Sequence, residues 1–430
     1  MTLNGFILTY VKKDYVMKRI TDFMHKRLHA RSQHTRIDSD PYAGILVNNV
    51  AYVPDNRFDR LAEEGYRQNV IVYRCINLIA RGLSSVPFLL YQQDHGYGER
   101  VRGRPKMEEH EIESHPILTL LNAPSPLQAG SSFIEEVVSY LLLSGNTYIE
   151  AILNGDGKPV MLSAVRPDRV RIKPGRYGVP AAYDVQMQPG VVRTVPVDPR
   201  DGRSDILHIK LFHPMNDWYG LSPMEAAAKS IDQHNAVGGH NLALLNNGGR
   251  PSGALMVRSR DNGMGLSDAQ RQGLRSDLKR AYEGSDNAGR VMILEGDFEW
   301  KEMGLTPKDL DFVEGKNVSA REICQAFGVP PMLAGVPGDA TFANYREARF
   351  HLWEDTILPL LELIVAELNV WLLPYFGESY RLGYDLDGIQ ALAPKREAAW
   401  QKIAHAEFLT VNEKRQAVGY GPVEGGDVLR

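Results

Sequence analysis

Apolar residues recur every three to four positions in some stretches of this chain and every second position in others. Val70 to Ala80 has helical spacing, with Gly82 expected to end the helix. Val86 to Tyr91 reads as a strand. Ser132-Phe133-Ile134-Glu135 has the form of a capping box opening a helix that ends near Gly145. Thr147 to Ile152 alternates as a strand, and Asn154-Gly155-Asp156-Gly157 signals a hairpin turn. Two short strands follow, Val170 to Lys173 and Ile206 to Ile209.

A longer rhythm begins at Ser222-Pro223-Met224-Glu225. Ser is a cap, Pro suits the first turn and Glu the third position, so a helix runs from here to about Asn246 and stops at Gly248-Gly249. A small module follows. Gly253 to Val257 is a strand, Ser267 to Gln270 caps a charged helix ending near Gly284, and 290–294 with 298–301 reads as a hairpin. Thr306-Pro307-Lys308-Asp309 then repeats the earlier helix start. This second helix reaches Phe327, although Gly315 weakens its middle by roughly 1 kcal/mol. It stops at Gly328, and Pro330-Pro331 cannot continue it.

Beyond a Gly-, Pro- and Asp-containing loop, Asn344 to Glu347 is expected to cap the longest helix. Its apolar stripe is Tyr345, Trp353, Ile357, Leu360, Ile364, Leu368 and Trp371, with a kink at Pro359. Residues 394–430 read as a helical pair, the second helix capped by Thr410-Val411-Asn412-Glu413. Residues 248–306 are thus held between two helices with matching starts. Such a mounted module is an interaction architecture, and the long loop suits a moving part or a channel lining better than a catalytic pocket.

Composition narrows the function. The chain has 430 residues, more than one ordinary core organises, so several substructures are expected. Its net charge of −4 argues against a protein that wraps DNA by neutralising phosphates. DNA near this chain would be passed rather than gripped. Residues 1–55 are polar and rich in Arg and His and read as a poorly ordered arm. Cys75 and Cys324 lie in apolar periodic runs and read as buried free thiols. No unbroken 18-residue apolar run supports a membrane span. Leu3 to Val11 is apolar, but Lys12 and Lys13 follow it, the wrong order for a secretory signal. A reducing, cytoplasmic place of synthesis is expected.

Catalytic motifs are incomplete. Gly284 to Val291 has phosphate-loop glycine spacing without the Lys-Ser/Thr pair that contacts phosphate and magnesium. Gly220-Leu221-Ser222-Pro223 has Met224 where a nucleophile elbow needs glycine. His234 and His240 are six apart, a spacing that does not bring two metal ligands together; His208 and His213 read as structural or surface residues. Asp309 and Asp311 sit in a first helical turn, where the dipole favours acids. No catalytic site and no cofactor is expected.

Several pieces, in order, resemble the phage portal protein family, of the type found in long-tailed phages and gene transfer agents. They are Tyr219 to Pro223, Asn247-Gly248 with Pro251 to Gly253, Leu294-Glu295-Gly296 and Trp300. Ile323 to Pro331, Thr410 to Arg415 and Gly421 to Val423 complete the set, and the resemblance covers roughly 65–425. It implies an α+β, portal-like fold: an N-terminal arm (1–60), a mixed wing (61–221), two stem helices (222–247 and 307–329) flanking a small α/β clip (248–306), a tunnel loop (330–344), a long kinked helix returning to the wing (345–376) and a helical crown (377–430).

The resemblance further implies a twelve-subunit ring at one capsid vertex, through which double-stranded DNA is packaged and ejected without sequence preference. Implied partners are the large terminase subunit, a head–tail adaptor and the major capsid protein, with no membrane. The place is the virion or a phage-like particle, after assembly in the host cytoplasm. On it, Met332, Leu333, Val336, Asp339, Thr341, Phe342 and Asn344 are the DNA-facing candidates. For Phe342 and Met332, burial against a neighbouring subunit is the equal alternative. Asp309, Asp311, Glu314 and Lys316 are lumen candidates, and pairing among stem charges is the alternative there. Arg271, Arg275, Lys279 and Arg280 are candidates for docking the motor or adaptor. Two other readings stay open: another structural head component, and a nucleotide-dependent enzyme using 284–291.

Overall fold

Asn69 starts the central helix. Its Oδ1 accepts from the backbone N–H of Ile71 (3.0 Å) and Val72 (3.2 Å), satisfying donors that a first helical turn leaves open. Helix α1 (Val70–Ser84) buries Val72, Cys75, Ile76, Ile79 and Leu83 along one face. Gly82 does not end it, contrary to the sequence expectation. A Cβ there would lie 2.6 Å from Ile357 Cδ1, so this glycine makes room for a packed neighbour. In the computed structural model the described residues are 57–94, 100–101, 104–105, 108–176, 178–246, 253–257, 267–269, 271–273, 276, 298–302, 312–338, 342–377, 380–421 and 423–428. Val53–Arg430 forms one compact unit.

Strands β1 (Phe88–Asp94) and β2 (Glu108–Glu111) follow, then helices α2 (Pro116–Asn122) and α3 (Gly130–Ser144). The expected capping box at Ser132 is not the start of α3. Ala129 occupies the cap without a side-chain bond, and Gly130 is needed because a Cβ there would sit 2.2 Å from Leu121 O. The helix does end at Gly145, at φ +72°, a conformation that glycine adopts without penalty.

Strands β3 (Asn146–Leu153) and β4 (Pro159–Val165) form the expected hairpin, closed by Asn154 Oδ1 accepting from Asp156 and Lys158. Strands β5 (Val170–Pro174), β6 (Pro180–Gln188) and β7 (Val191–Pro196) form a second antiparallel sheet. Strand β8 (Ile206–Lys210) returns to pair with β3, setting His208 opposite Tyr148. Those two rings stack at 4.4 Å and 14°.

Ser222 caps Met224 N–H at 3.0 Å, with Pro223 in the first turn, as the spacing predicts. The helix is broken at Ala227 into α4 (Pro223–Ala226) and α5 (Ala228–Asn246). Strands β9 (Gly253–Val257) and β10 (Phe298–Glu302) pair antiparallel with each other. The hairpin partner expected for β10, 290–294, lies outside the described residues, as does the second helix start at 306–309.

Helix α6 (Phe312–Ala326) precedes a 3-10 turn (Pro331–Ala334) and helix α7 (Phe342–His351). Asn344 is therefore inside α7 rather than its cap. A π-helical turn (Leu352–Ile357) continues directly into α8 (Leu358–Leu372). Pro359 follows the π turn directly, and Leu358 N–H, just before it, reaches back five residues to Trp353 O. The expected irregularity is thus a π turn placed just before the proline. Strand β11 (Tyr380–Tyr384) pairs with β1, Leu90 opposite Leu382. Helices α9 (Ala393–Ala404) and α10 (Val411–Ala417) close the chain, and the Thr410/Glu413 capping box is formed in both directions.

The main core joins α1, α3, α6 and α8. Val137, Ile323, Leu361, Ile364, Leu368 and Leu372 are all fully buried in it. Of the expected stripe, Ile357, Ile364 and Leu368 are buried, Leu360 and Trp371 are half-buried, and Leu361, Val365 and Leu372 join the buried face. Burial of each such side chain contributes roughly 1.5–3 kcal/mol. A second, smaller core holds Tyr148, Val170, Ile172, Tyr183, Val185, Val195 and Ile206.

The stretch Asn344–Tyr375 is 32 residues long with mean hydropathy 1.8 in its most apolar window, long and apolar enough by length and composition to cross a membrane. The expectation that no such segment exists is corrected: Glu362 and Glu367 interrupt the run without making it polar. Its apolar side faces the core, so packing accounts for the composition.

Candidate functional site

The expected channel elements meet where α5, α6 and the 327–338 segment pack on α1. Asn69 connects α1 to α5. Its Nδ2 lies 3.2 Å from His234 Nδ1 and donates to Asn235 Oδ1 at 3.0 Å, while Asn235 Nδ2 donates to Glu64 O at 2.9 Å. Burial, then the charge of Lys316, holds the His234 pKa below its usual value, so a neutral ring accepts from Asn69. Ser230 donates to Glu322 Oε2 at 2.6 Å and ties α5 to α6. Cys75 Sγ and Cys324 Sγ face each other at 3.9 Å, both fully buried and unbridged. The Cys324 contact and burial push the Cys75 thiol up, so it stays protonated.

Helix α6 ends in a Schellman motif. Val329 N–H bonds to Cys324 O at 2.9 Å, Gly328 N–H to Gln325 O at 3.1 Å, and Gly328 sits at φ +67°. The 3-10 turn repeats the device at Gly335, φ +85°, with Val336 N–H to Pro331 O (3.1 Å) and Gly335 N–H to Met332 O (3.3 Å). Thr356 Oγ1 donates to Gly328 O (2.7 Å), Arg321 to Pro337 O (2.6 Å) and Arg74 to Leu333 O (3.4 Å).

The expected free loop over 330–344 is therefore largely folded onto its own chain. Leu333 and Val336 are only 6% exposed and belong to the core, which removes them from the DNA-facing candidates. Met332 is half-buried against the same core. Asn344 is exposed on α7. Asp339 and Thr341 lie outside the described residues, as does the Phe342 side chain, although Phe342 begins α7.

On α6, Glu314 is exposed and Lys316 half-buried; Asp309 and Asp311 lie outside the described residues. In the inserted module Arg271 is exposed and pairs with Asp268 at 3.6 Å, while Arg275, Lys279 and Arg280 lie outside the described residues. The incomplete phosphate loop at 284–291 lies there too. Among the described residues no group of three or more His, Cys, Asp or Glu is placed to hold a metal ion.

Sequence reasoning missed two organising residues. Asn69 immediately precedes the apolar run of α1, which is itself a cap signal. Asn146 accepts from Gly220 N–H at 2.7 Å and bonds His208 Nε2 at 3.0 Å, joining segments too distant in sequence for any local pattern to show. His208 is pushed down to about 3 by burial and, secondarily, by Lys210, so its ring is neutral and structural.

Similarity to known proteins fits these elements. The chain is 41% identical over 392 residues to an uncharacterized protein of Rickettsia bellii, covering 90% of this chain and 95% of that one. It is 24% identical over 371 residues to the portal protein of Enterobacteria phage HK97, covering 85% of this chain and 82% of that one. A chain in the neck of a native gene transfer agent (GTA) particle, computed with C12 symmetry, superposes with a TM-score of 0.65 at 37% identity, covering 89% of this chain and 98% of that one. The family model for phage portal proteins matches residues 70–419, and the chain belongs to the phage portal protein family.

Proposed function

We propose that this chain is the portal subunit of a phage or GTA-like particle: a ring at one capsid vertex through which double-stranded DNA enters and leaves. The observation that carries the reading is the likeness of almost the whole described chain to a subunit of a GTA neck. The ring has twelve copies on the C12 analogy. Residues 61–221 and 345–376 serve as the wing, 222–247 and 307–329 as the stem, 248–306 as the clip and 377–430 as the crown.

The tunnel segment narrows to about 337–341, because 331–336 is bound into the core. Asp339 is the one charged side chain between Pro330 and Asn344, and it is negative. Such a surface lets phosphates slide, whereas a ring of Lys and Arg would hold them. The large terminase subunit and then the head–tail adaptor dock on the clip, the major capsid protein surrounds the wing, and packaging energy comes from the separate motor. This chain performs no catalysis in this account.

Particles produced without this chain should hold no DNA, and the intact chain supplied in trans should restore filling. Filled particles in its absence would reject the function. Deleting 339–341 should leave the ring assembled but impair filling or retention; normal filling would move the tunnel assignment elsewhere.

A further inference from the structure

The loop leading into α4 carries two large apolar side chains almost entirely in solvent, Phe212 at 85% and Met215 at 89% exposure. Single exposed apolar side chains are ordinary, but here two stand three positions apart on one loop. The loop is fixed at both ends. Leu211 N–H bonds to Gly145 O at 2.9 Å, and Gly220 N–H bonds to Asn146 Oδ1 at 2.7 Å. Between them His213 Nδ1 accepts from Met215 N–H (3.0 Å), and Asn216 Oδ1 accepts from Trp218 (2.9 Å) and Tyr219 (3.1 Å). Tyr219 Oη in turn accepts from Ile172 N–H at 3.1 Å, anchoring the loop on the second sheet. The internal hydrogen bonds thus point inward while Phe212 and Met215 point out, so little conformational freedom is left to lose on binding.

We infer that Phe212 and Met215 form a preorganised apolar plug that seats against a second copy of this chain. The inference rests on the ring reading above. A ring contact is heterologous, one face meeting a different face, so a protruding group on one side is the form expected of it. From Leu211 to Gly220 the one formally charged side chain is Asp217, which gives no cation for DNA phosphate. An apolar protein surface is the fitting occupant, and Met and Phe are enriched in such contacts.

The test compares the full chain with the Phe212→Ser/Met215→Ser double variant, by solution mass and by peroxide labelling of Met215. The variant should lose the ring species at concentrations where the parent is assembled, keeping the parent's melting temperature as a subunit. A weakening of about tenfold at each contact is enough, since it compounds around a closed ring. Phe212→Leu/Met215→Leu should keep the ring. In the parent, Met215 should oxidise in dissociated subunits and be protected in rings. Unchanged rings in the Ser variant, or Met215 oxidising equally in both forms, would overturn the plug while leaving the portal reading intact. A parent chain that never forms rings would overturn both.

Discussion

Helices α8 and α5 are both long, yet one is completed by its own chain and the other is not. Helix α8 buries Leu361, Ile364, Val365, Leu368 and Leu372. Helix α5 buries Ile231 and His234 near its start; from Asn235 to Ala243 every residue is half or fully exposed. It also carries Gly238 and Gly239 mid-helix, each costing about 1 kcal/mol against alanine. A Cβ at either would meet nothing within 4 Å. Propensity and packing within the chain explain α8 and leave the outer half of α5 short of stabilisation. In the proposed ring, neighbouring copies supply it.

The sharpest way to break this contrast is a pair of truncations. Ile364→Ala should cost the isolated subunit about 2–5 kcal/mol in denaturant unfolding. Leu242→Ser should change it by less than about 0.5 kcal/mol, with its effect confined to assembly. Equal losses would mean that α5 is packed within the subunit after all.

A smaller effect comes from pH. His208 is neutral in the fold, with its pKa pushed down to about 3 from an ordinary 6.5. Because the depressed value belongs to the folded state, the unfolded chain binds the proton first. Stability is therefore full above pH 6.5 and falls below it, by roughly 1.4 kcal/mol per pH unit, until about pH 3. His234, the buried anchor of α5, is shifted in the same direction. Unfolding curves of His208→Gln should show a flatter acid limb; an unchanged slope would show that His208 takes up its proton in the folded protein.

The smallest effect sharpens the contrast most finely. Gly238→Ala and Gly239→Ala should each stabilise the isolated subunit by about 0.5–1 kcal/mol, read as a rise in melting temperature. If neighbours pack closely on α5 in the ring, the same changes should weaken assembly. Better assembly in both variants would argue for a solvent-filled gap there.

Much of the fold was legible where one local rule acts alone. Ser222, Gly145, the Asn154 turn and the Thr410/Glu413 box behave as their sequences predict. Local rules failed where a tertiary neighbour overrode them. Gly82 read as a stop and Ser132 as a helix start, but Gly82 yields space to Ile357 and α3 begins at Gly130, tight against Leu121 O. The segment after α6 read as a free loop because its prolines and glycines are loop residues. Two successive Schellman turns and bonds from Thr356, Arg321 and Arg74 fold it instead, and those partners lie 16 to 259 residues away. The candidate site was legible as an arrangement of helices and an insert. Which of its side chains are free was not, since burial depends on contacts that spacing does not encode.

The most direct test of the portal account is the mass of the purified full chain in solution, with electron-microscope class averages of the same sample. The account predicts closed rings with a central hole, near 580 kDa for twelve copies of a 48.1 kDa chain (12 × 48.1). A species of 48.1 kDa at every concentration, with or without the shell protein present, would contradict it.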